Sequence, residues 1–153
     1  MKLRRVLEAK ARHEVWTIPM DGNVSDFIRT AVRRGVGALI VVDDKGKPAG
    51  ILSERDIVRH CERKTDFDHT PVGLIMTRDI VTGNMDDDIA VGMGLMIKHR
   101  IRHLAVLEGD RIAGIATLRD IICAMRDATE EELHQIMAFL KNQPDVSWKP
   151  TLH

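Results

Sequence analysis

Two short segments carry the residue types from which a ligand site can be made. Gly50-Ile51-Leu52-Ser53-Glu54-Arg55-Asp56 and Gly114-Ile115-Ala116-Thr117-Leu118-Arg119-Asp120 share one pattern: glycine, an apolar pair, a hydroxyl, then a carboxylate three residues after the hydroxyl. The glycine allows close backbone approach, and the apolar pair suits the end of a buried strand. A hydroxyl at a helix start stands among free backbone N–H groups at the positive end of the dipole, which favours an anion. A carboxylate one turn on is suited to accept hydrogen bonds from both hydroxyls of a ribose. The set suits a nucleotide. The same spacing is also a plain capping box, which closes a helix start without any ligand. A duplicated fold would duplicate its caps.

Other candidate groups carry less. Arg102-His103 supplies a strong charge-assisted donor and a titratable one, sized for a single phosphate. His99 and His103 are four apart, but a helix-to-strand break between them would deny a zinc ion one shared face. Cys61 and Cys123 do not align with each other and are expected to be partly buried helix residues. Asp86-Asp87-Asp88 precedes a helix and reads as a cap with a solvated charge cluster. Met93, Met96, Met125 and Met137 are expected to fill core and interface. Trp16 and Trp148 have no assigned role. No nucleophile–base pair has a spacing that suggests catalysis, so the chain is not expected to be an enzyme.

These motifs sit at the same place in an internal repeat. Thr17, Met20 and Asp21 match Thr82, Met85 and Asp86 at an offset of 65, as Leu39 and Val41 match Leu104 and Val106. Gly50, Arg55, Asp56 and Ile57 match Gly114, Arg119, Asp120 and Ile121 at 64. The one-residue slip falls in the polar turn after Asp43, where an insertion costs little. Each repeat reads as strand, helix, strand, turn, strand, helix. Val24, Phe27, Ile28, Ala31 and Val32 recur at helical spacing behind Asn23, a cap with Asp26 at N3. Ile89, Met93, Met96 and Ile97 repeat that stripe behind Asp88. Val36–Val42 and Ile101–Leu107 read as buried strands, followed by the turns at 43–46 and 108–110.

The expected boundaries are 1–64 for the first repeat, 65–70 for a linker and 71–127 for the second repeat. A separate C-terminal helix is expected over 128–142, started by a capping box of Thr129 and Glu132, striped by Leu133, Ile136, Met137 and Leu140, and stopped before Pro144. Its apolar face needs a partner. Residues 143–153 read as a flexible tail.

The chain has 153 residues, 44% of them apolar, and no net charge: 23 basic groups against 23 acidic. Neutrality argues against nonspecific nucleic-acid or membrane-surface binding, which needs a positive field. The average conceals an asymmetry, since residues 1–64 carry 14 basic and 9 acidic groups and residues 65–127 carry 7 and 10. The longest apolar run, Val36–Val42, is far short of a membrane span. Residues 1–8 contain no signal-peptide stretch. Two cysteines make no disulfide framework. A soluble cytoplasmic protein is the expectation.

The order Thr17, Val36-Gly37-Ala38-Leu39, Gly50–Asp56, Ile75-Met76-Thr77, Thr82, Arg102-His103-Leu104 and Gly114–Asp120 resembles a tandem pair of CBS domains, a Bateman module. The resemblance spans about residues 6–127, and the terminal helix resembles that of stand-alone bacterial and archaeal CBS-pair proteins. It implies an α/β (α+β) fold: two β-α-β-β-α repeats in pseudo-twofold contact with a C-terminal helix, commonly in a disc-like homodimer. It also implies an adenosine-containing regulatory ligand (AMP, ATP, NAD or S-adenosylmethionine), no required cofactor, and an effector protein acted on in trans. One site would join Ser53, Arg55 and Asp56 to Thr82, Ile101, Arg102, His103 and Leu104. The other would join Thr117 and Asp120 to Thr17, Ile18, Val36, Gly37, Ala38 and Leu39. Aspartate would hold the ribose, strand residues the adenine, and the hydroxyl and basic groups the phosphate. Arg102 and His103 would make the Asp56 site the better phosphate binder. A ligand-independent dimeric interaction module is the rival expectation.

Overall fold

The computed structural model describes residues 1–10 and 14–141. The expected tail, Pro144 and Trp148 lie outside the described residues, as does the side chain of Leu140. The elements run α1 (Leu3–Glu8), β1 (Thr17–Pro19), α2 (Val24–Arg34), β2 (Ala38–Val42), β3 (Pro48–Ser53) and α3 (Glu54–Glu62). Then follow α4 (Val72–Ile75), β4 (Thr82–Asn84), α5 (Ile89–His99), β5 (His103–Glu108), β6 (Arg111–Thr117) and α6 (Leu118–Lys141). The fold is the expected α+β repeat. Each copy forms a three-stranded sheet with the middle strand parallel to the first and antiparallel to the third. The registers match: Ala38 faces Ser53 as His103 faces Thr117, and the register shifts at equivalent steps, Val41/Val42 and Val106/Leu107.

Local chemistry explains the elements. Asp26 accepts the Asn23 N–H at 3.2 Å, closing the start of α2. Asp88 accepts from Ala90 N at 3.1 Å at the start of α5. Helix α2 buries Val24, Phe27 and Ala31, while Val32 points outward and is 78% exposed. Ile97, its equivalent in α5, is 75% exposed. The expected inward stripe is therefore narrower, because each short helix covers its sheet with one face.

The two cores are completed by exchange. Leu3, Val6 and Leu7 of α1 lie in the core of the second repeat with Met85, Leu104 and Ile121. Val72, Ile75 and Met76, around α4, lie in the core of the first with Phe27, Leu39 and Leu52. The hydrogen bonds are reciprocal. Leu3 N and Arg4 N donate to Asp87 O and Met85 O at 2.9 and 2.8 Å; Val72 N and Gly73 N donate to Gly22 O and Met20 O at 2.7 and 2.8 Å. Residues 1–10, expected to belong to the first repeat, thus pack on the second, because its sheet offers the apolar face that Leu3 and Leu7 need.

Two further expectations are corrected. Helix α6 is continuous from Leu118 to Lys141, so no separate helix starts near 128. The Thr129 hydroxyl donates back to Met125 O at 3.1 Å inside the helix instead of capping a new one. Cys61 is exposed, on the outer side of α3, while Cys123 is half-buried. Among the methionines, Met96 is in the core but Met125 and Met137 are exposed. No helix of the described residues is long and apolar enough to cross a membrane.

If α1 completes the second core, Leu3→Ala will lower unfolding stability in urea by about 2–5 kcal/mol, the range for a buried leucine. Lys45→Ala in the exposed turn between β2 and β3 will stay within about 0.5 kcal/mol of the parent.

Candidate functional site

Two clefts open at the strand-to-helix turns, each between one repeat's β3-type strand end and the other repeat's middle-strand start. The Asp56 cleft, about 520 Å³, is lined by Ser53, Arg55, Asp56, Ile101, Arg102 and His103. The structure thus brings together six of the eight residues expected there. Leu104 is fully buried in the second core, and Thr82, next to the lining residue Val81, pairs with Ala105 and stands outside the lining. The Asp120 cleft, about 290 Å³, is lined by Thr117, Asp120, Val36, Gly37 and Ala38 from the expected set. Thr17, Ile18 and Leu39 stand outside the lining, since Ile18 and Leu39 face the first core.

The hydroxyl–carboxylate pairs are complete caps. Ser53 N and Oγ both donate to Asp56 Oδ2, at 2.9 and 3.0 Å. Thr117 N and Oγ1 both donate to Asp120 Oδ2, each at 2.8 Å, and Thr117 Oγ1 accepts from Asp120 N at 3.2 Å. In each pair the cap uses Oδ2. Oδ1 of Asp120 has no hydrogen-bond partner among the described residues, and Oδ1 of Asp56 has only Arg59 at 3.9 Å. One carboxylate oxygen builds the turn and the other remains to accept from a ligand.

Several lining residues escaped the sequence. Lys10 enters the Asp120 cleft and places Nζ 2.9 Å from Asp120 Oδ2 and 2.7 Å from Ile115 O. Trp16 lines the same cleft, with the Arg34 guanidinium 3.9 Å from its ring centroid, a cation–π contact. Asp79 and Arg100 join the Asp56 cleft. Arg55 donates to Arg100 O at 2.8 Å across the repeats. Trp16 and Arg100 stand opposite Val81 and Gly35 in the repeat, so divergence within it was the available signal. Nothing in the sequence pointed to Lys10, whose segment belongs to no visible repeat.

Electrostatics differ between the clefts. Burial raises the Asp120 carboxyl, but hydrogen bonds from Lys10 and Thr117 outweigh it and hold the group below its ordinary value. Burial pushes the His103 imidazole down. His103 packs against Gly37, where an added Cβ would lie 2.9 Å from Nε2, and it lines both clefts. Burial thus works against a charged His103, while Arg102 is the permanently charged member of that pair. His99 and His103 line one cleft from a helix end and a strand start. No group of three His, Cys, Asp or Glu side chains among the described residues could hold a metal ion.

Arg100 ends α5 in the left-handed conformation, φ 53°, where the equivalent residue of α2 is Gly35 at φ 65°. A side chain there costs about 1 kcal/mol relative to glycine, yet it adds a cation to the Asp56 cleft.

The geometry is that of a duplicated α+β module with a cleft at each strand-to-helix turn, and the family follows. CBS-domain models match residues 6–63 and 72–127, so the chain belongs to the CBS-domain family and carries two such domains in tandem. A CBS-domain containing protein from Agrobacterium tumefaciens is 28% identical and superposes with a TM-score of 0.75 over 81% of this chain and 92% of that one. Two others share the fold at 21% identity. One is a CBS domain protein from Pyrobaculum aerophilum complexed with AMP, TM-score 0.70, covering 78% and 89% of the two chains. The other is a CBS domain pair in complex with 5'-methylthioadenosine and S-adenosyl-L-methionine, TM-score 0.72, covering 84% and 98%. A 33.4 kDa protein of Thermofilum pendens is 34% identical over 100 residues, 65% of this chain; the chain spans 33% of that relative's length.

Two outcomes are expected. In urea titrations, Asp120→Asn will be less stable than the parent at pH 7. Asp120 contributes stability above the ordinary carboxylate range and loses it as pH falls through its lowered folded value, so the gap will close below about pH 4. Arg100→Gly will raise stability by about 1 kcal/mol or less, while weakening any anion bound in the Asp56 cleft, as read by calorimetry with AMP.

Proposed function

We propose that the protein is a regulatory CBS pair, cytoplasmic and non-catalytic, that binds an adenosine-containing ligand in the clefts between its repeats. AMP and ATP are the first candidates, NAD and S-adenosylmethionine the next. The observation that carries this reading is the divided carboxylate: each cleft mouth holds an aspartate fixed through Oδ2 with Oδ1 left for a ligand. Two neighbours of the same fold hold adenosine compounds, which supports the ligand class. Binding would bias the relative orientation of the repeats, and a protein partner would read the change in trans.

The same reading includes a homodimer. The repeats expose equivalent apolar positions: Val32 with Ile97, and Val58 with Ile122. Leu118, Met125, Leu133, Ile136 and Phe139 add an exposed apolar stretch along α6. A second copy of this chain is the partner that a duplicated patch on a pseudo-twofold body fits, because an isologous interface needs the same surface on both sides. The rival is a ligand-independent dimeric module, favoured by the fact that both hydroxyl–carboxylate pairs are finished caps.

AMP at a hundredfold excess over its dissociation constant will raise Tm by about 5 °C or more. No shift with AMP, ATP, NAD or S-adenosylmethionine at millimolar concentration would establish the rival. The arginines of the Asp56 cleft make it the stronger phosphate site, so Asp56→Ala will cost more AMP affinity in calorimetry than Asp120→Ala. The reverse order would show that the Asp120 cleft dominates.

A further inference from the structure

The exchanged segments place different side chains at equivalent points of the two clefts. Leu3, Arg4 and Leu7 correspond to Val72, Gly73 and Met76. The first two pairs make the matching backbone bonds described above. The third lies against matching glycines, with a Cβ on Gly114 meeting Leu7 at 2.9 Å and one on Gly50 meeting the Met76 sulfur at 2.7 Å. Beyond Leu7 and Met76 the segments part, since α1 runs on to Glu8 while α4 ends at Ile75; Lys10 then lines the Asp120 cleft and Asp79 the Asp56 cleft. A cation enters one cleft where a carboxylate enters the other.

Lys10 is also held in place. In the first repeat, Ile51 O accepts the backbone N–H of Thr77 at 2.9 Å. In the second, Ile115 O accepts Lys10 Nζ at 2.7 Å instead, and the same ammonium pairs with Asp120 Oδ2 at 2.9 Å. An ammonium has three N–H donors, so one remains after these two bonds. Thr117 is in the opposite condition. Its hydroxyl has one proton, and that proton is donated to Asp120 Oδ2. The threonine cannot donate to a phosphate without breaking the cap that orients the aspartate.

We propose that Lys10 is the specificity-determining residue of the Asp120 cleft, supplying the charge-assisted donor for a ligand phosphate there in place of Thr117. The proposal rests on the adenosine-ligand reading above and adds to it which side chain selects a phosphorylated ligand over the bare nucleoside. Pairing with Lys10 also neutralises Asp120, so an incoming phosphate meets no net negative charge from that pair. In the Asp56 cleft, Asp79 supplies no such donor, and phosphate selection falls to arginines.

Trp16 lines the Asp120 cleft and makes it readable. The chain has two tryptophans and no tyrosine, so Trp148→Phe leaves Trp16 as the sole tryptophan. AMP and adenosine are titrated into this protein while its fluorescence is followed, alone and with Lys10→Gln or Lys10→Arg added. AMP is expected to bind more tightly than adenosine by about tenfold or more, the weight of one charge-assisted bond. Lys10→Gln should collapse that margin to about twofold with adenosine affinity unchanged, and Lys10→Arg should restore most of it. The proposal is overturned if Lys10→Gln keeps the margin, weakens both ligands equally, or tightens both, the last meaning that Lys10 merely occupies Asp120. Calorimetry separates the two levels. If neither compound, nor ATP, NAD or S-adenosylmethionine, binds at millimolar concentration, the adenosine reading fails and this one with it; if one of these binds but AMP does not, or AMP binds with a margin indifferent to Lys10, this inference alone fails.

Discussion

The structure depends on a reciprocal exchange at its centre. A three-stranded sheet with two short helices is too small to bury its own apolar surface. Each repeat here is finished by the segment leading into the other, α1 on the second and α4 on the first. The exchange ties the repeats into one body, since neither core is complete without chain from across the boundary. It also brings each strand-to-helix turn against the opposite middle strand, so the clefts are products of the packing and belong to neither repeat alone.

That origin explains why cap and ligand mouth coincide. A helix start needs acceptors for its free N–H groups. The Ser53–Asp56 and Thr117–Asp120 pairs provide them with one carboxylate oxygen each. The aspartate is fixed by the same bonds that begin the helix, so the orientation of its second oxygen is set before any ligand arrives. Capping leaves room for the proposed binding, because each cap occupies Oδ2 alone. The cap is what makes the carboxylate rigid.

The repeat, its element order and the pairing of the clefts were legible because two copies of one pattern stand 64 and 65 residues apart. The exchange was not. Leu3–Leu7 and Val72–Met76 are equivalent in space but identical at no aligned position, and α4 has four residues, too few to show a helical period. Lys10 was invisible for the same reason: it follows α1 beyond the last matched pair, Leu7 and Met76, so no position of the other repeat points to it. The boundary placed near 128 failed because Thr129 and Glu132 have the spacing of a cap, while the threonine hydroxyl bonds backward to Met125 O within a helix already under way. Spacing alone does not distinguish those two uses of a hydroxyl.

Duplication copied a shape, and single positions then gave the copies different chemistry. Gly35 and Arg100 both end a helix with positive φ, but the glycine is relaxed and the arginine is strained beside the Asp56 cleft. Trp16 and Val81 stand before equivalent strands, and only the first offers an aromatic face. Lys10 and Asp79 invert the charge at the mouth. His103 lies against Gly37 and lines both clefts, so any shift of its ring is felt on both sides. The two halves complete each other's cores while their mouths differ in charge, size and aromatic surface.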